Sequence, residues 1–199
     1  TMKTTKVLET NITETNINEV SKILNFSTNN RVAICNANTL VRSVKDINLR
    51  NSINNFTIKT PDGFPVAKAL TFLTKKKFSR VDGYKIFLQT ISDGLDTNKR
   101  HYFFGNNEIT TQQMIKKLKM MFPNILISGH TCPEQMTAED LAIKYKKDFQ
   151  SIDADIVWVS LGFPKQELFI EKICNEVNIS INFVGIGGVF DWVAGTKKK

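Results

Sequence analysis

An α/β domain built on a largely parallel sheet is the fold this sequence predicts, and three observations carry that expectation. Short apolar runs alternate with segments of helical spacing, most regularly from His101 onward. The clearest run, Ile156–Ser160, is rich in β-branched and aromatic residues, as a strand buried on both faces should be. It leads into Gly162, after which Pro164 stands at the expected first helical position and Lys165, Gln166 and Glu167 make a first turn. A buried strand feeding a helix leaves free N–H groups at its carboxyl end, where open α/β sheets bind ligands and an anion is favoured. An ordinary βα junction has the same pattern, so the rest of the chain must discriminate.

Taken in order, Lys6–Glu9 is expected as a short edge strand. A helix is expected over Thr15–Phe26, with Asn16 and Glu19 spaced as a capping box. Arg31–Cys35 is the next strand, ending in Asn36, Ala37, Asn38 and Thr39, and Leu40–Ile53 carries apolar residues at helical spacing. Phe56–Ile58 is expected as a strand closed by the turn Thr60–Pro65. Helices are expected over Val66–Leu73 and over Val81–Leu95, the second starting near Asp82 and Gly83. Then come a strand at His101–Phe104, a turn at Gly105, and a helix over Thr110–Met121 that Pro123 stops. Ile125–Ile127, Thr137–Phe149 and Ile179–Val184 supply a strand, a helix and the last strand. The absence of repeats, low-complexity tracts and linkers makes 1–199 one domain.

Composition narrows the function classes. With 41% hydrophobic and 23% charged residues in 199, the chain is globular and able to build a substantial core. No apolar run is long enough to span a bilayer, and charged residues punctuate the N-terminus where a signal peptide would be apolar. Three widely spaced cysteines (Cys35, Cys132 and Cys174) and two histidines (His101 and His130) form no recognisable zinc pattern, so a reduced, metal-free protein is expected. The net charge of +8 attracts anions, with basic clusters at Lys75–Lys77, Lys116–Lys119, Lys144–Lys147 and Lys197–Lys199. No RNA-binding or helix-turn-helix signature accompanies them, and no nucleic-acid partner is expected.

The carboxyl ends of the expected strands collect the chemistry. They present Asn36 and Asn38, then Asp62 and Gly63, then Gly105, then Gly162 to Gln166, and finally Gly185 to Asp191. Individually each has a plainer reading. Asp62 suits a Pro-Asp-Gly turn, Arg80 a surface cation, and Gly185-Ile186-Gly187-Gly188 a close-packed strand exit whose third fingerprint glycine is replaced by Phe190. Asp153-Ala154-Asp155 matches the D-x-D of metal-dependent sugar-nucleotide transferases. It precedes Ile156–Ser160, however, which puts it at the amino end of the sheet, away from the other candidates. No metal is expected there.

Together these segments resemble the WecG/TagA/CpsF glycosyltransferases. The resemblance is carried by Thr60–Pro65 (TPDGFP), Arg80–Gly83 (RVDG), Phe103–Gly105 (FFG), Gly162–Glu167 (GFPKQE) and Gly185–Asp191 (GIGGVFD) with Ala194 and Gly195. It covers nearly all of the chain from Lys6. It implies a Rossmann-like fold and an inverting, metal-independent enzyme with no cofactor. Such an enzyme moves a sugar, often N-acetylmannosamine, from a UDP-sugar donor to a polyprenyl-diphosphate-linked acceptor in teichoic acid, common antigen or exopolysaccharide synthesis. It implies a cytoplasmic protein, peripheral on the inner face of the cell membrane, with self-association possible in the family. Where the chain stops, relatives continue with basic and aromatic residues, so a membrane-docking segment beyond residue 199 is expected.

By resemblance, Asp62 matches the candidate general base, Gln166 and Arg80 positions near the catalytic centre, and Asn38 a polar residue beside the base. Asn36 occupies a position that is threonine in many relatives. Asn36, Gly63, Gly105, Gly162, Pro164, Lys165, Gly185, Gly187, Gly188 and Asp191 are the expected substrate-binding residues. A metal-free inverting displacement is physically consistent with this set: one carboxylate serves as base, while helix amides and cations stabilise the leaving diphosphate. The alternative is a dinucleotide-dependent oxidoreductase, which lacks a full glycine fingerprint here and the acidic residue about 20 positions beyond it. A nucleic-acid-binding module would explain the charge but not the Asn, Asp and Gly clustering.

Overall fold

The computed structural model describes residues 2–199. Strands β3 (Arg31–Cys35), β4 (Ile58–Pro61), β5 (Arg100–Gly105), β6 (Leu126–Thr131), β7 (Ile156–Ser160) and β8 (Asn182–Gly185) form one sheet. Its order is β4-β3-β8-β7-β5-β6, and every neighbouring pair is parallel. All six strands therefore end on one edge. Helices α1 (Ile17–Phe26), α5 (Gly83–Asp93), α6 (Glu108–Met121) and α9 (Val189–Ala194) contribute to the core on one face. Those on the other are α2 (Ala37–Lys45), α3 (Ile47–Asn54), α4 (Phe64–Thr74), α7 (Ala138–Gln150) and α8 (Lys165–Glu176). This is the expected Rossmann-like α/β architecture.

Strand alternation sorts the aromatics between the two cores. Phe104 stacks on Phe169 with ring centroids 4.8 Å apart. Its neighbour Phe103 points to the opposite face, where Phe190 meets it edge-on at 5.7 Å. Trp158 of β7 joins that second core, and its Nε1 donates to His101 Nδ1 at 3.0 Å. The apolar β7 sequence is thus explained by helices on both sides of its strand, as a central parallel strand requires.

Several expectations are corrected. The N-terminal edge strand is instead an antiparallel hairpin of β1 (Thr4–Val7) and β2 (Thr10–Thr13), outside the main sheet. Its four-residue arms are mostly polar and carry little periodic signal. The Thr13 hydroxyl accepts from Lys59 N at 2.9 Å, so the hairpin covers the β4 edge. In α1, Asn16 caps Glu19 N, but the Glu19 carboxylate turns to the Thr15 hydroxyl at 2.8 Å instead of completing a box. The expected 40–53 helix divides at Asp46, which ends α2 and whose carboxylate caps Leu49 N at the start of α3. Phe56 is buried but precedes β4, which runs Ile58–Pro61 in register with Val32–Cys35. Pro61 is tolerated because it is the last residue of the sheet's edge strand. Pro164 caps α8 from outside, and the helix itself begins at Lys165.

Candidate active site

Three strand ends build one wall of the site. β3 runs into Asn36, which caps α2: its Oδ1 accepts from Thr39 N at 3.1 Å, and Thr39 Oγ1 accepts from Asn36 N at 3.3 Å. β4 runs into Asp62, whose N–H donates to Cys35 O at 3.0 Å. The Val81 N–H donates to Pro61 O at 2.9 Å, which brings the Arg80–Gly83 segment alongside. β8 runs into Gly185 and then Gly187, whose φ of 54° lies in the left-handed region that favours glycine.

Within this frame Arg80 Nε donates to Asp62 Oδ1 at 2.8 Å, and Asp82 Oδ2 lies 3.9 Å from the same nitrogen. The bond to Asp62 pushes the Arg80 guanidinium further toward its charged form. Asp82 is buried and also caps α5 by accepting from Lys85 N at 2.9 Å. Asp62 and Arg80 line a cavity of about 160 Å³ with Asn36, Gln166, Gly185 and Trp192 among its other walls. Thr39 reaches this cavity from α2, whereas Asn38 lies exposed on the helix's first turn, outside the lining.

Gln166 is buried and acts on the glycine loop. Its Oε1 accepts from Gly187 N at 2.9 Å, and its Nε2 donates to Glu167 Oε1 at 3.0 Å. A Cβ at Gly185 would stand 3.3 Å from the Gln166 side chain, so the missing side chain there lets the two segments close up. Glu167 closes the GFPKQE motif but has no site role in the sequence reading. It is 1% exposed, lines the Asp62 cavity, and its Oε2 has no hydrogen-bond partner among the described residues. Burial pushes its carboxyl up to about 7. Its only sequence signal is an acid in the first turn of a helix at the sheet's carboxyl edge.

A second cavity of about 460 Å³ adjoins the first, sharing Gly187 and Gly188 with it. Gly162, Ser160, Asn106, Asp191 and Lys197 line it. Asp191 on α9 accepts from Asn106 Nδ2 and from the Thr196 hydroxyl, each at 3.0 Å. Ser160 Oγ donates to Gly187 O at 2.6 Å. Asn106 takes the lining position expected of Gly105. Gly105 itself sits at φ 120° against β7, where a Cβ would meet Ser160 O at 2.1 Å. Lys165 lines a further cavity of about 210 Å³ that shares Asn106, Ser160 and Leu161 with the second. Gly63, with φ 80°, precedes α4, and Pro164 stands at the α8 entry, both outside these linings.

The D-x-D pair lies at the amino end of the sheet, as expected. Arg100 Nε and N both donate to Asp155 Oδ2, at 3.0 and 2.8 Å, and Arg100 also pairs with Asp153. Folding does gather one mixed-donor group that spacing did not reveal: ligand atoms of Glu108, His130 and Cys132 lie within 4.8 Å of one another. His130 Nε2 and Glu108 Oε1 are hydrogen-bonded there at 2.8 Å. Phe190, where a third fingerprint glycine would stand, is fully buried in the aromatic core, so the glycine loop departs from the dinucleotide pattern.

A parallel α/β sheet whose carboxyl edge holds an Asp–Arg pair and a glycine loop in adjoining cavities defines a Rossmann-like protein with a candidate site at its strand ends. The chain belongs to the glycosyl transferase WecG/TagA/CpsF family, whose model matches residues 5–199. It is 30% identical over 139 residues to an N-acetylglucosaminyldiphosphoundecaprenol N-acetyl-beta-D-mannosaminyltransferase of Bacillus spizizenii, covering 70% of this chain and 52% of that protein. Proteins of the same name show 24% identity in Bacillus subtilis (84% of this chain, 64% of the relative) and in Staphylococcus aureus (74% and 56%). The chain thus spans between half and two thirds of the length of these curated relatives.

Proposed function

We propose that this chain is the catalytic domain of an inverting, metal-independent hexosyltransferase. It moves an N-acetylmannosamine-type sugar from UDP to a polyprenyl-diphosphate-linked sugar in cell-surface polysaccharide synthesis. The observation that carries the reading is the Asp62–Arg80 pair, 2.8 Å apart, beside the Gly185–Gly188 loop on the strand-end edge of a chain of this family. The relatives' names supply the sugar and acceptor class.

In this reading Arg80 holds Asp62 Oδ1, and Oδ2 accepts the proton of the acceptor hydroxyl. The hydroxyl oxygen forms the new bond to the anomeric carbon as the bond to the UDP oxygen breaks on the opposite side, which inverts the centre. Charge gathers on the leaving diphosphate, and the amides around Gly162 and Gly188, with Lys165, Lys197 and Arg80, offset it. The larger cavity suits the nucleotide half of the donor, and the Asp62 cavity its sugar. Metal independence is supported by where the cations and the acids fall. The D-x-D acids are paired to Arg100 on the far edge, and on the site edge Asp62 is held by Arg80 and Asp191 by Asn106 and Thr196, with Lys165 and Lys197 lining the neighbouring cavities. The oxidoreductase alternative gains no support, since Phe190 fills the place of the third glycine.

Asp62→Asn is expected to fold normally and to lose about 10²–10⁴-fold in transfer rate, the usual contribution of a general base. UDP release from UDP-N-acetylmannosamine with a lipid-linked N-acetylglucosamine acceptor measures it. Turnover near wild type would remove Asp62 from the mechanism.

A further inference from the structure

The edge strand β6 and the start of α6 bring three different metal-ligating side chains to one point. His130 of β6 pairs in register with Phe103 of β5, so it falls on the sheet face that carries α6. Cys132, two residues on, returns to that face, where its Sγ donates to Thr111 Oγ1 of α6 at 3.5 Å. Thr131 between them points the other way, to the Tyr102 hydroxyl. Glu108 precedes Thr111 by three residues on the same side of α6, and its Oε1 lies 2.8 Å from His130 Nε2. Ligand atoms of Glu108, His130 and Cys132 all lie within 4.8 Å of one another. Their supports are fixed as well. Gln112 Nε2 donates to Glu108 Oε1 at 2.8 Å, and Asn107 caps the helix by accepting from Thr110 N at 2.9 Å.

Zinc bonds of about 2.0–2.3 Å place tetrahedral ligand atoms about 3.3–3.8 Å apart. The separations here, from 2.8 Å to at most 4.8 Å, bracket that range, so small side-chain movements suffice. The donors are a nitrogen, a sulfur and an oxygen. A thiolate disfavours magnesium and calcium, which take oxygen ligands, and suits zinc. Thiolate and carboxylate together balance the 2+ charge. The plainer arrangement is a hydrogen-bonded cluster at a helix start, where an acid is favoured. It accounts for Glu108 with its two donors, but not for a thiol converging on the same point.

We propose that Glu108, His130 and Cys132 bind one zinc ion, with water in the fourth position. Binding exchanges the Cys132 S–H and the His130–Glu108 hydrogen bond for three bonds to zinc, and the thiol proton passes to solvent. None of the three residues lines the Asp62 cavity or its larger neighbour, so the ion holds structure and takes no part in transfer. Glu108 follows Asn107 and Cys132 precedes Pro133, and both of these neighbours line the 210 Å³ cavity with Lys165. Zinc thus ties together two walls of that cavity. Binding is measured without substrates, so the proposal and the transfer reading fail separately.

Zinc sulfate titrated into the reduced chain against a chromogenic chelator is expected to fill one site per chain. Cobalt(II) in that site should give a thiolate-to-cobalt charge-transfer band and the visible bands of a tetrahedral ion. Cys132→Ser and His130→Gln are each expected to weaken zinc binding roughly 100-fold, and Glu108→Gln about tenfold. Cys174→Ser, which removes a half-buried thiol on α8, should leave it unchanged. Zinc at about 100 times its dissociation constant should raise the melting temperature by about 5–10 °C in the wild type and not in Cys132→Ser. Circular-dichroism melts check that each variant folds, and the cobalt spectrum of the wild type reads the thiolate ligand without any variant. Absence of zinc binding, cobalt bound without the charge-transfer band, or magnesium or calcium competing equally with zinc overturns the proposal. So does full zinc binding by a folded Cys132→Ser or His130→Gln variant, or its loss in Cys174→Ser.

Discussion

Replacing Glu167 with glutamine tests whether a buried acid under the Asp62 cavity holds its proton near neutrality. The carboxyl is 1% exposed, one oxygen accepts from Gln166 Nε2 at 3.0 Å, and the other has no hydrogen-bond partner among the described residues. Burial raises it from the ordinary 4.5 to about 7. In acid below the ordinary value, folded and unfolded chains both carry the proton and the group is neutral to stability. Between the two values the unfolded chain releases it while the folded chain retains it, so stability falls as pH rises. Beyond the folded value the loss is constant. A shift of that size corresponds to about 3 kcal/mol lost to this one group in the wild type. Glutamine has the same shape and does not titrate, and the cost of its own unpartnered buried atom is the same at every pH. Urea denaturation of both proteins at about pH 4.5 and about pH 8 should therefore show the stability difference moving toward the variant by about 3 kcal/mol. A difference that does not change with pH would show that Glu167 ionises normally, and the account of its burial would be wrong.

Other expected outcomes follow from the same geometry. Gly105→Ala should strongly destabilise the fold, because its Cβ would lie 2.1 Å from Ser160 O at a φ of 120°; a large fall in melting temperature is the readout, and an unchanged one would refute the close approach. Gln166→Ala removes the bond that fixes the Gly187 turn and should weaken UDP binding by about tenfold in a calorimetric titration, because the glycine loop must then be ordered on binding. Asp153→Ala should leave transfer activity largely intact, since its partner Arg100 lies on the opposite edge from Asp62. Strong inhibition of the wild-type enzyme by EDTA would contradict the metal-free reading.

Some of this was legible before folding because it is local. Ile156–Ser160 reads as a doubly buried strand from its composition alone, and the Thr137 and Asp82 caps are visible in a few residues. The motifs at Asp62, Gly162–Glu167 and Gly185–Gly188 also point to one edge, because parallel strands must all end there. The polar N-terminal hairpin was not legible, since it exists only by resting on the β4 edge. Nor was the start of β4, which is set by pairing with β3 and not by the run of apolar residues around Phe56.

The sequence by itself determined the class of fold and the edge on which the parallel strands end, because periodicity and turn chemistry are properties of neighbouring residues; Asp62 and Arg80 were singled out by the family resemblance, not by their local pattern. Only the tertiary structure decided what those residues touch. Strand order set β4 beside β3 and β3 beside β8, which brings Asp62, 18 residues from Arg80 in sequence, to 2.8 Å from it next to a loop beginning at Gly185. It also turned Gln166 onto the glycine loop and sealed Glu167 beneath the cavity. Burial and the absence of a partner for a carboxylate oxygen depend on every surrounding element at once, and no spacing along the chain encodes them.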